Sequence, residues 1–407
     1  MTVTIADIEE ARRVIKGAVL RTPMLPAPKL SALTGAQIFV KYENLQVTNS
    51  FKDRGALVKL ASLSEAERKR GVIAMSAGNH AQAVAYHAER LGIPTTIVMP
   101  VTTPFVKVEA TRAHGADVVL DGEGIAEAQA RCEQLLTERG LTLVHPYDDP
   151  RIISGQGTIA LEMLEDVPDL DLLMIPIGGG GLIAGNAIAA RTRNPGIEIV
   201  GAECALYPSF WNALHNERRP LGGPTLAEGI AVKNVGKLTL PIVRELVSEV
   251  VLVDEPALER AVNAYTTLQK TVAEGAGAAA LAVLLANPAR FRGRKIGLIL
   301  SGGNIDPRIL ASITVRELER ESRIVSFRLT IPDRPGVLGH IATRLGELGA
   351  NILEVDHRRL FLDVPAKGAK LDVTVETRDA AHAQQILAAL DADGYRPVRI
   401  ETGAAME

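Results

Sequence analysis

Aromatic residues and cysteines are scarce in this chain of 407 residues. Aromatic side chains make up 3% of the sequence, so the stacking platforms that bind single-stranded nucleic acid are not expected. The two cysteines, Cys132 and Cys204, are too few for a disulfide framework or a cysteine metal cluster. What the chain does have is 47% hydrophobic residues, enough for at least one large apolar core.

An excess of one charge is also missing. The formal net charge is −3 and no block rich in lysine or arginine occurs, so we expect no nucleic acid partner. No apolar run is long enough to span a bilayer, and the first residues carry no apolar signal segment. The sequence therefore predicts a cytoplasmic enzyme or regulator without a membrane partner.

Short β-branched runs alternate with longer amphipathic ones from Ile38 to about Ile305. Such alternation is typical of α/β proteins whose parallel sheets are covered by helices on both faces, and its length predicts two sheets or one very large one. The predicted strands include 72–75, 96–99, 117–120, 141–144, 172–175, 198–201, 250–253 and 296–300; the predicted helices include 81–91, 105–114, 125–136 and 255–271.

The pattern changes after Arg323. The remaining segments follow the order β-α-β-β-α-β of a ferredoxin-like α+β domain, with strands at 324–331, 351–356, 370–377 and 396–401 and helices at 337–348 and 380–392. We predict a first domain at 1–320 and a second domain at 324–402.

Three glycine-rich loops follow predicted strands: "SAGNHA" from Ser76, "GGGGL" from Gly178 and "SGGN" from Ser301. Ligands of open α/β sheets bind beyond the carboxyl ends of the strands. Consecutive glycines before a helix let backbone N–H groups approach an anion, so "GGGGL" predicts a phosphate cradle. The alternative, a flexible surface loop, is disfavoured by the apolar strand and helix on its two sides.

Lys52, in "NSFKDRGA", lies at a predicted strand-to-helix junction, and taken alone it is most simply a solvated lysine. A dinucleotide-binding fold is a second interpretation of the glycines. Gly179, Gly181 and Ala184 fit its fingerprint, and Glu203 would bind the ribose. That interpretation leaves Lys52 and the other two loops without a role.

Together the four motifs resemble the pyridoxal-phosphate enzymes of fold type II, the threonine dehydratase and serine racemase family. The resemblance spans roughly residues 5–320. The tail is similar to an ACT domain, in which "DRPGVL" from Asp333 joins the first strand to the first helix. The resemblance implies two parallel-sheet α/β subdomains that bind pyridoxal 5′-phosphate, a small one at roughly 45–150 inserted in a larger one. An α+β regulatory domain would follow them.

The resemblance also assigns roles to residues. Lys52 would bind the cofactor as a Schiff base and act as the catalytic base. The other cofactor-binding residues would be Phe51 beside the ring, Asn79 at the ring hydroxyl, Ser301 at the ring nitrogen, and Gly178, Gly179, Gly180 and Gly181 at the phosphate. The substrate would be held at Ser76, Ala77, Gly78 and His80, although packing at a helix start is the alternative for His80.

The implied reaction is dehydration and deamination of L-threonine or L-serine to 2-oxobutanoate or pyruvate, with release of ammonia. A serine racemase, a β-replacement enzyme and a non-catalytic amino-acid sensor are the alternatives. In racemising members a serine stands at the position of Ala77 and protonates the opposite face of the substrate, which a methyl group cannot do. For Glu274, a pocket residue and a helix cap both stay open.

No metal is predicted, and the partners are expected to be small molecules. Glu203 matches an acidic residue of the family's cation site, but the aspartate that accompanies it is absent. An amino-acid effector, isoleucine or valine, is expected at the free N–H groups of a helix start, in a site formed by Asp333, Arg334, Gly336, Val337, Leu338 and Asn351. A domain that only helps a homodimer or homotetramer to form is the alternative.

Overall fold

The structure, a computed structural model, describes residues 3–359 and 367–400 and divides between Asp306 and Pro307 into two units. The last predicted strand ends at residue 401 and the predicted second domain at residue 402. Both ends lie outside the described residues. Among those residues, no helix combines the length and apolar character needed to cross a membrane.

The first unit contains ten strands within residues 3–306. They are β1 (Met24–Pro26), β2 (Gln37–Tyr42), β3 (Val72–Met75), β4 (Thr95–Met99), β5 (Asp117–Leu120), β6 (Thr142–Leu143), β7 (Leu172–Pro176), β8 (Glu198–Cys204), β9 (Glu249–Val253) and β10 (Lys295–Leu300). One sheet has the order β1-β2-β10-β7-β8-β9 and the other β5-β4-β3-β6. Every pairing is parallel except that of β1 with β2, so the predicted α/β class with parallel sheets is confirmed.

Helices cover both sheets. They are α1 (Ile5–Ile15), α2 (Pro28–Thr34), α3 (Lys52–Ala61), α4 (Glu65–Arg70), α5 (Asn79–Arg90), α6 (Phe105–Arg112), α7 (Ile125–Arg139), α8 (Pro150–Asp166), α9 (Gly181–Arg193), α10 (Ser209–His215), α11 (Thr239–Leu246), α12 (Glu255–Ala264), α13 (Gly275–Ala286) and α14 (Pro288–Phe291). Short 3₁₀ turns lie at Glu43–Leu45 and Glu228–Ile230, and a π-helical turn at Tyr265–Gln269 extends α12.

Small residues let the central helices approach closely. A Cβ added at Gly185 of α9 would lie 2.2 Å from the carbonyl oxygen of Ile153 in α8, and one at Gly157 would lie 2.7 Å from the Gly185 carbonyl oxygen. Asn186 then accepts a hydrogen bond from the backbone N–H of Ala160 at 2.7 Å. This tight pair fixes the start of α9, which follows the tetraglycine loop.

The second unit has the predicted ferredoxin-like order. After α15 (Pro307–Arg320), its described residues form β11 (Ile324–Pro332), α16 (Val337–Glu347), β12 (Asn351–Arg358), β13 (Gly368–Glu376), α17 (Ala380–Ala392) and β14 (Val398–Arg399). The sheet is antiparallel with the order β12-β13-β11-β14. The helices bury their apolar sides, including Ile341 and Ile386, against alternate sheet residues such as Phe327 and Leu371.

The helix α15 belongs to the second unit by its contacts, whereas the predicted domain boundary follows this segment. The predicted limits of 1–320 and 324–402 stay predictions, because contacts alone do not show where each part folds independently. The four-stranded sheet is formed by β3 to β6 and lies in the chain between strands β2 and β7 of the six-stranded sheet.

Candidate active site

The loop that carries Lys52 lies edge to edge with the loop that follows β10. The backbone N–H of Phe51 donates to the carbonyl oxygen of Ser301 at 3.0 Å, and that of Gly303 donates to Asn49 at 3.0 Å. Two of the four sequence motifs are therefore joined by main-chain hydrogen bonds. Lys52 becomes the first residue of α3, at the carboxyl end of the larger sheet.

The Lys52 amine is half-buried and held by the main chain. Its Nζ donates to the carbonyl oxygen of Pro146 at 2.7 Å and lies 5.1 Å from the centre of the Phe51 ring. Burial lowers the pKa of Lys52 to about 8, against the opposing attraction of the Glu274 carboxylate. The amine is thus closer to its unprotonated, nucleophilic form than a surface lysine is.

The side-chain amide of Asn79 bonds Glu274 and the loop that follows β10. Its Nδ2 donates to Glu274 Oε1 at 2.7 Å, and its Oδ1 accepts from Asn304 Nδ2 at 2.8 Å. The same Asn304 nitrogen also donates to the carbonyl oxygen of Thr48, four residues before Lys52, at 2.8 Å. Asn79, which we predicted to contact a cofactor ring, is therefore held in one orientation beside the Lys52 loop.

Glu274 is a pocket residue that sequence reasoning left undecided. Burial raises its pKa to about 7, although the hydrogen bond from Asn79 works in the opposite direction. A Cβ at Gly302 would lie 2.5 Å from Glu274 Oε1, so a glycine at 302 makes room for this carboxyl. Glu274 precedes α13 but makes no side-chain capping bond there, which favours the pocket interpretation over the helix-cap one.

The tetraglycine loop is packed from both sides. Gly180 has φ +92°, and a Cβ on it would lie 2.5 Å from the Phe210 ring. The Thr239 hydroxyl donates to the carbonyl oxygen of Gly179 at 2.8 Å. Because α9 begins at Gly181, its first N–H groups are free of intrahelical partners and suit a bound anion.

The segment that follows β6 was missed by the sequence reasoning, although it joins Lys52 to the glycine loop. Pro146 accepts the hydrogen bond from Lys52, and the ring of the next residue, Tyr147, packs against Gly179. The Tyr147 hydroxyl donates to the carbonyl oxygen of Asn234 at 3.0 Å. Its position after a parallel strand was the signal available, since the same rule had identified the three glycine-rich loops.

The loop "SAGNHA" leads into α5, which starts at Asn79. Ser76, Ala77 and Gly78 are half-buried, and nothing lies within 4 Å of a Cβ added at Gly78. His80 is buried, and its Nε2 bonds the carbonyl oxygen of Val144 at 2.8 Å. Burial lowers the pKa of His80 to about 3, so the ring is neutral and serves as a packing residue.

The carboxylate of Glu203, at the end of β8, accepts hydrogen bonds from the main chain. Its two carboxylate oxygens accept the N–H groups of Phe210 and Trp211 at 2.7 Å and 2.9 Å. Burial raises the pKa of Glu203 to about 7, although these backbone hydrogen bonds work in the opposite direction. Within the described part of the chain, no group of three or more His, Cys, Asp or Glu residues is arranged to hold a metal. Glu203 is a buried hydrogen-bonded carboxylate rather than an exposed ribose ligand.

A buried charge cluster anchors α3 behind Lys52. The Arg54 guanidinium donates to Glu43 and to Glu162, with distances from 2.7 to 2.8 Å. Lys41 Nζ donates to Glu162 at 2.6 Å, so two cations face two carboxylates. Asp53 accepts the Thr48 hydroxyl at 2.6 Å. Asp53 and Arg54 therefore have structural roles at the junction.

The loop expected to bind an effector is exposed in the second unit. Gly336 has φ +86° and immediately precedes α16, while the N–H of Asp333 donates to Lys367 at 2.9 Å. The structure does not bring Asn351 to this loop within one chain. Asn351 is paired with Glu376 at one end of β13, and Pro332 is paired with Gly368 at the other end. At the usual rise per strand residue, these two ends of β13 are roughly 26 Å apart. The expected proximity of Asn351 is therefore wrong within one copy.

Comparison with known proteins identifies the class of this fold and site. The family model described as pyridoxal-phosphate dependent enzyme matches residues 15–302, and that of the ACT domain matches residues 325–394. The chain belongs to the family of pyridoxal-phosphate-dependent enzymes and carries an ACT domain.

Its relatives narrow the class further. The chain is 44% identical to the L-threonine ammonia-lyase of Thermotoga maritima, over 98% of this chain and 99% of that protein. The structure of maize serine racemase is similar with a TM-score of 0.73 and 35% identity, covering 79% of this chain and all (100%) of that one. The processed form of threonine deaminase isoform 2 from Solanum lycopersicum has a TM-score of 0.71 and 36% identity, covering 76% and 86%.

The site fits pyridoxal phosphate. A half-buried lysine amine with a lowered pKa suits a bond to an aldehyde, and the glycine loop with the free N–H groups of α9 suits the phosphate. Nothing larger than glycine fits at Gly180, because a Cβ there would meet both Phe210 and Thr239. The cofactor-binding residues predicted from the motifs stay a prediction, and the structure places Glu274 beside Asn79 and Tyr147 beside Gly179.

Proposed function

We propose that this chain is an L-threonine ammonia-lyase that also accepts L-serine. The product would be 2-oxobutanoate from threonine or pyruvate from serine, with ammonia released in both cases. Support comes from the Lys52 amine, which donates to the carbonyl oxygen of Pro146 at 2.7 Å. The glycine loop and the hydrogen-bonded pair of Asn79 and Glu274 belong to the same site. When bound, pyridoxal phosphate supplies an aldehyde for the amino group and a ring that withdraws electrons from Cα.

The protein's own residues bind the substrate and move its proton. The loop of Ser76 to Gly78 leads directly into α5, whose first N–H groups lack intrahelical partners and suit the amino-acid carboxylate. Lys52 takes the Cα proton, because its lowered pKa makes the unprotonated amine available near neutral pH. The Pro146 carbonyl then accepts a hydrogen bond from the ammonium that results.

Release of oxo acid by the purified protein tests this proposal. The wild type should form 2-oxobutanoate from L-threonine, and Lys52→Ala should form none. Lys52→Arg is the matched control, since it keeps the positive charge but forms no stable Schiff base. Borohydride reduction followed by mass spectrometry should locate the cofactor on position 52. Oxo acid from Lys52→Ala, or an adduct on another residue, would refute the proposal.

We also propose that the ACT domain binds an amino-acid effector, isoleucine or valine, at the start of α16. In the exposed loop from Asp333 to Leu338, the first N–H groups of α16, which lack intrahelical partners, and the guanidinium of Arg334 suit a carboxylate. Asn351 would complete this site from a second copy of the chain, in a homodimer or homotetramer. Regulation requires that the effector bind two states of the enzyme unequally.

Titration of isoleucine and valine against activity tests the effector, with full-length protein and with a truncated chain that ends before Ile324. A role in isoleucine biosynthesis predicts inhibition of the full-length protein alone. A catabolic role predicts that neither amino acid inhibits. The cytoplasm is the proposed location, because the substrate and effector are ordinary intracellular amino acids.

A further inference from the structure

His145 lies half-buried at the start of the segment that connects β6 with α8. Its Nδ1 accepts a hydrogen bond from the backbone N–H of Asp148 at 2.8 Å and a longer one from that of Tyr147 at 3.3 Å. The ring therefore closes a turn over its own next three residues. Because Nδ1 is an acceptor in both bonds, the ring must be neutral with its proton on Nε2.

This turn holds several parts of the active site. Pro146, at its first corner, accepts the hydrogen bond from Lys52 Nζ. Tyr147 packs its ring on Gly179 of the phosphate loop. The Asp148 carboxylate accepts the backbone N–H groups of Lys237 and Leu238 at 2.9 Å and 2.8 Å.

The far end of the turn is fixed as well. Asp149 caps α8 by accepting the N–H of Arg151 at 2.8 Å, and it forms an ion pair with Lys59 at 2.7 Å. Both ends of the turn are thus anchored to regular structure, and the hydrogen bonds from the N–H groups of Tyr147 and Asp148 to His145 close the turn around the Pro146 carbonyl. A carbonyl that turned away would leave the Lys52 amine without its acceptor.

We propose that His145 is a positioning residue for Lys52, acting through the backbone of Pro146. An acceptor at the δ1 position of residue 145 keeps the Pro146 carbonyl directed at the lysine amine. The role rests on the proposed function, since Lys52 must be the base for its position to matter. His145 itself touches neither the substrate nor the reacting atoms.

The charged surroundings of His145 are consistent with a neutral ring. Burial lowers its pKa, and the nearby Lys52 ammonium of α3 adds to this effect, whereas the carboxylates of Asp148 and Asp149 oppose it. The buried ring of His80 in α5 stays neutral and adds no charge at physiological pH. Protonation of His145 in acid would place an N–H against two N–H donors and release the turn.

Two substitutions distinguish the effect of the hydrogen-bond acceptor at His145 from the effect of its ring. His145→Asn keeps an acceptor at the δ1 position and cannot gain a proton, whereas His145→Leu has a similar size and no acceptor. For the full-length holoenzyme, His145→Leu should lower kcat on threonine by about 10- to 100-fold with little change in KM, the usual consequence of a misplaced catalytic group. His145→Asn should stay within about 3-fold of the wild type, since it restores the hydrogen bonds.

Hydrogen exchange of the Tyr147 and Asp148 amides gives a measurement that does not depend on activity. From pH 4 to 8, after correction for the intrinsic pH dependence, protection of the wild type should be constant near neutral pH. It should fall only in acid, because burial lowers the pKa of His145 below the ordinary value of a histidine. Protection of His145→Asn should stay constant, and that of His145→Leu should be about 10-fold lower throughout. Wild-type protection or kcat in His145→Leu, or identical behaviour of the two variants, would overturn the proposal.

The outcomes remain distinguishable from failure of the proposed function. If the wild type released no oxo acid, that function would fail, while the exchange measurement would still test the His145 turn. If circular dichroism showed that His145→Leu does not fold, hydrogen exchange of the wild type and of His145→Asn would test the proposal without it. Exchange that has the same pH dependence in these two proteins would then overturn the role of His145.

Discussion

The side-chain amide of Asn79 donates a hydrogen bond to the carboxylate of Glu274 at 2.7 Å. The other end of this amide is fixed too, since Asn304 donates to its oxygen at 2.8 Å. Reversing the amide would place two N–H donors together on one side and two oxygen acceptors on the other. Glu274 and Asn304 together therefore fix the orientation of the Asn79 amide.

Glu274→Gln should remove a pH-dependent part of the stability. Burial raises the pKa of Glu274 from its ordinary value of 4.5 to about 7, so between these values the folded protein holds a proton that the unfolded chain has lost. The stability that comes from this proton is complete below pH 4.5 and is lost as the pH rises through about 7. The melting temperature of the wild type should therefore fall more between pH 5 and 8 than that of Glu274→Gln.

The glutamine variant is well matched, because its side-chain oxygen can still accept the hydrogen bond from Asn79. Glu203 also has a pKa raised by burial to about 7, but it is present in both proteins and its contribution cancels. Scanning calorimetry at a series of pH values checks the difference. Parallel curves for the two proteins would show that Glu274 does not titrate in this window.

Arg54→Met should be strongly destabilising. The guanidinium neutralises Glu43 and Glu162, and its side chain is fully buried, at 0% exposure. Removing one partner of a buried ion pair leaves an uncompensated charge, which costs about 3–5 kcal/mol. Urea unfolding followed by the fluorescence of the single tryptophan, Trp211, measures the free energy of unfolding.

The control for this prediction is Arg13→Met, which removes an exposed ion pair with Glu10 in α1. Exposed pairs contribute about 0–1 kcal/mol, so this variant should unfold close to the wild type. An equal loss in the two variants would mean that burial of the Arg54 cluster is not what makes it important.

Gly180→Ala should weaken cofactor binding and lower stability together. The backbone at Gly180 has φ +92°, and the new Cβ would lie 2.5 Å from the Phe210 ring. Left-handed backbone costs about 1–2 kcal/mol for a residue with a Cβ, and overpacking typically adds about 1–3 kcal/mol. Titration of the cofactor by absorbance and a melting curve measure the two effects.

Gly346→Ala, on α16, is the matched control. A Cβ at Gly346 meets nothing within 4 Å, and alanine favours a helix by about 0.5–1 kcal/mol over glycine. This variant should keep cofactor affinity and should not lower the melting temperature. A loss of affinity in both variants would point to a general effect of the substitution rather than to the phosphate loop.

Most strands of the first unit followed closely from the sequence, because buried parallel strands such as Leu172–Pro176 read as continuous apolar runs. The second unit followed equally well, since alternation in β11 and β13 matches a sheet covered on one face. Helix ends differed by a few residues, as for α5, which begins at Asn79 rather than at residue 81.

Site residues could be predicted where their side chains belong to a motif. They could not be predicted where a backbone atom makes the contact. Lys52 and Gly180 stand in recognisable patterns, whereas the role of Pro146 is that of a carbonyl oxygen, which any residue has. Asn351 shows a second limit. Its distance from Asp333 depends on strand register, and residue type does not reveal the register in advance.

Activity should not depend on a divalent cation. The Glu203 carboxylate is used by the N–H groups of Phe210 and Trp211, which leaves it poorly placed to bind a metal. The hydroxyl of Ser209, the first residue of α10, donates to the carbonyl oxygen of Val232. Dialysis against EDTA should leave the rate and the melting temperature unchanged. Loss of either one, restored by Mg²⁺ or Ca²⁺, would contradict this prediction.

Ala77→Ser should allow the enzyme to racemise serine. Residue 77 is half-buried in the loop before α5, and by the family resemblance a hydroxyl there protonates the substrate from the side opposite Lys52. The wild type has only a methyl group at this position, so L-serine should yield pyruvate without D-serine. Chiral chromatography of the reaction mixture measures the ratio of D-serine to pyruvate. Ala77→Gly, which adds space but no hydroxyl, should behave like the wild type; D-serine from Ala77→Gly would mean that the proton comes from water or another group.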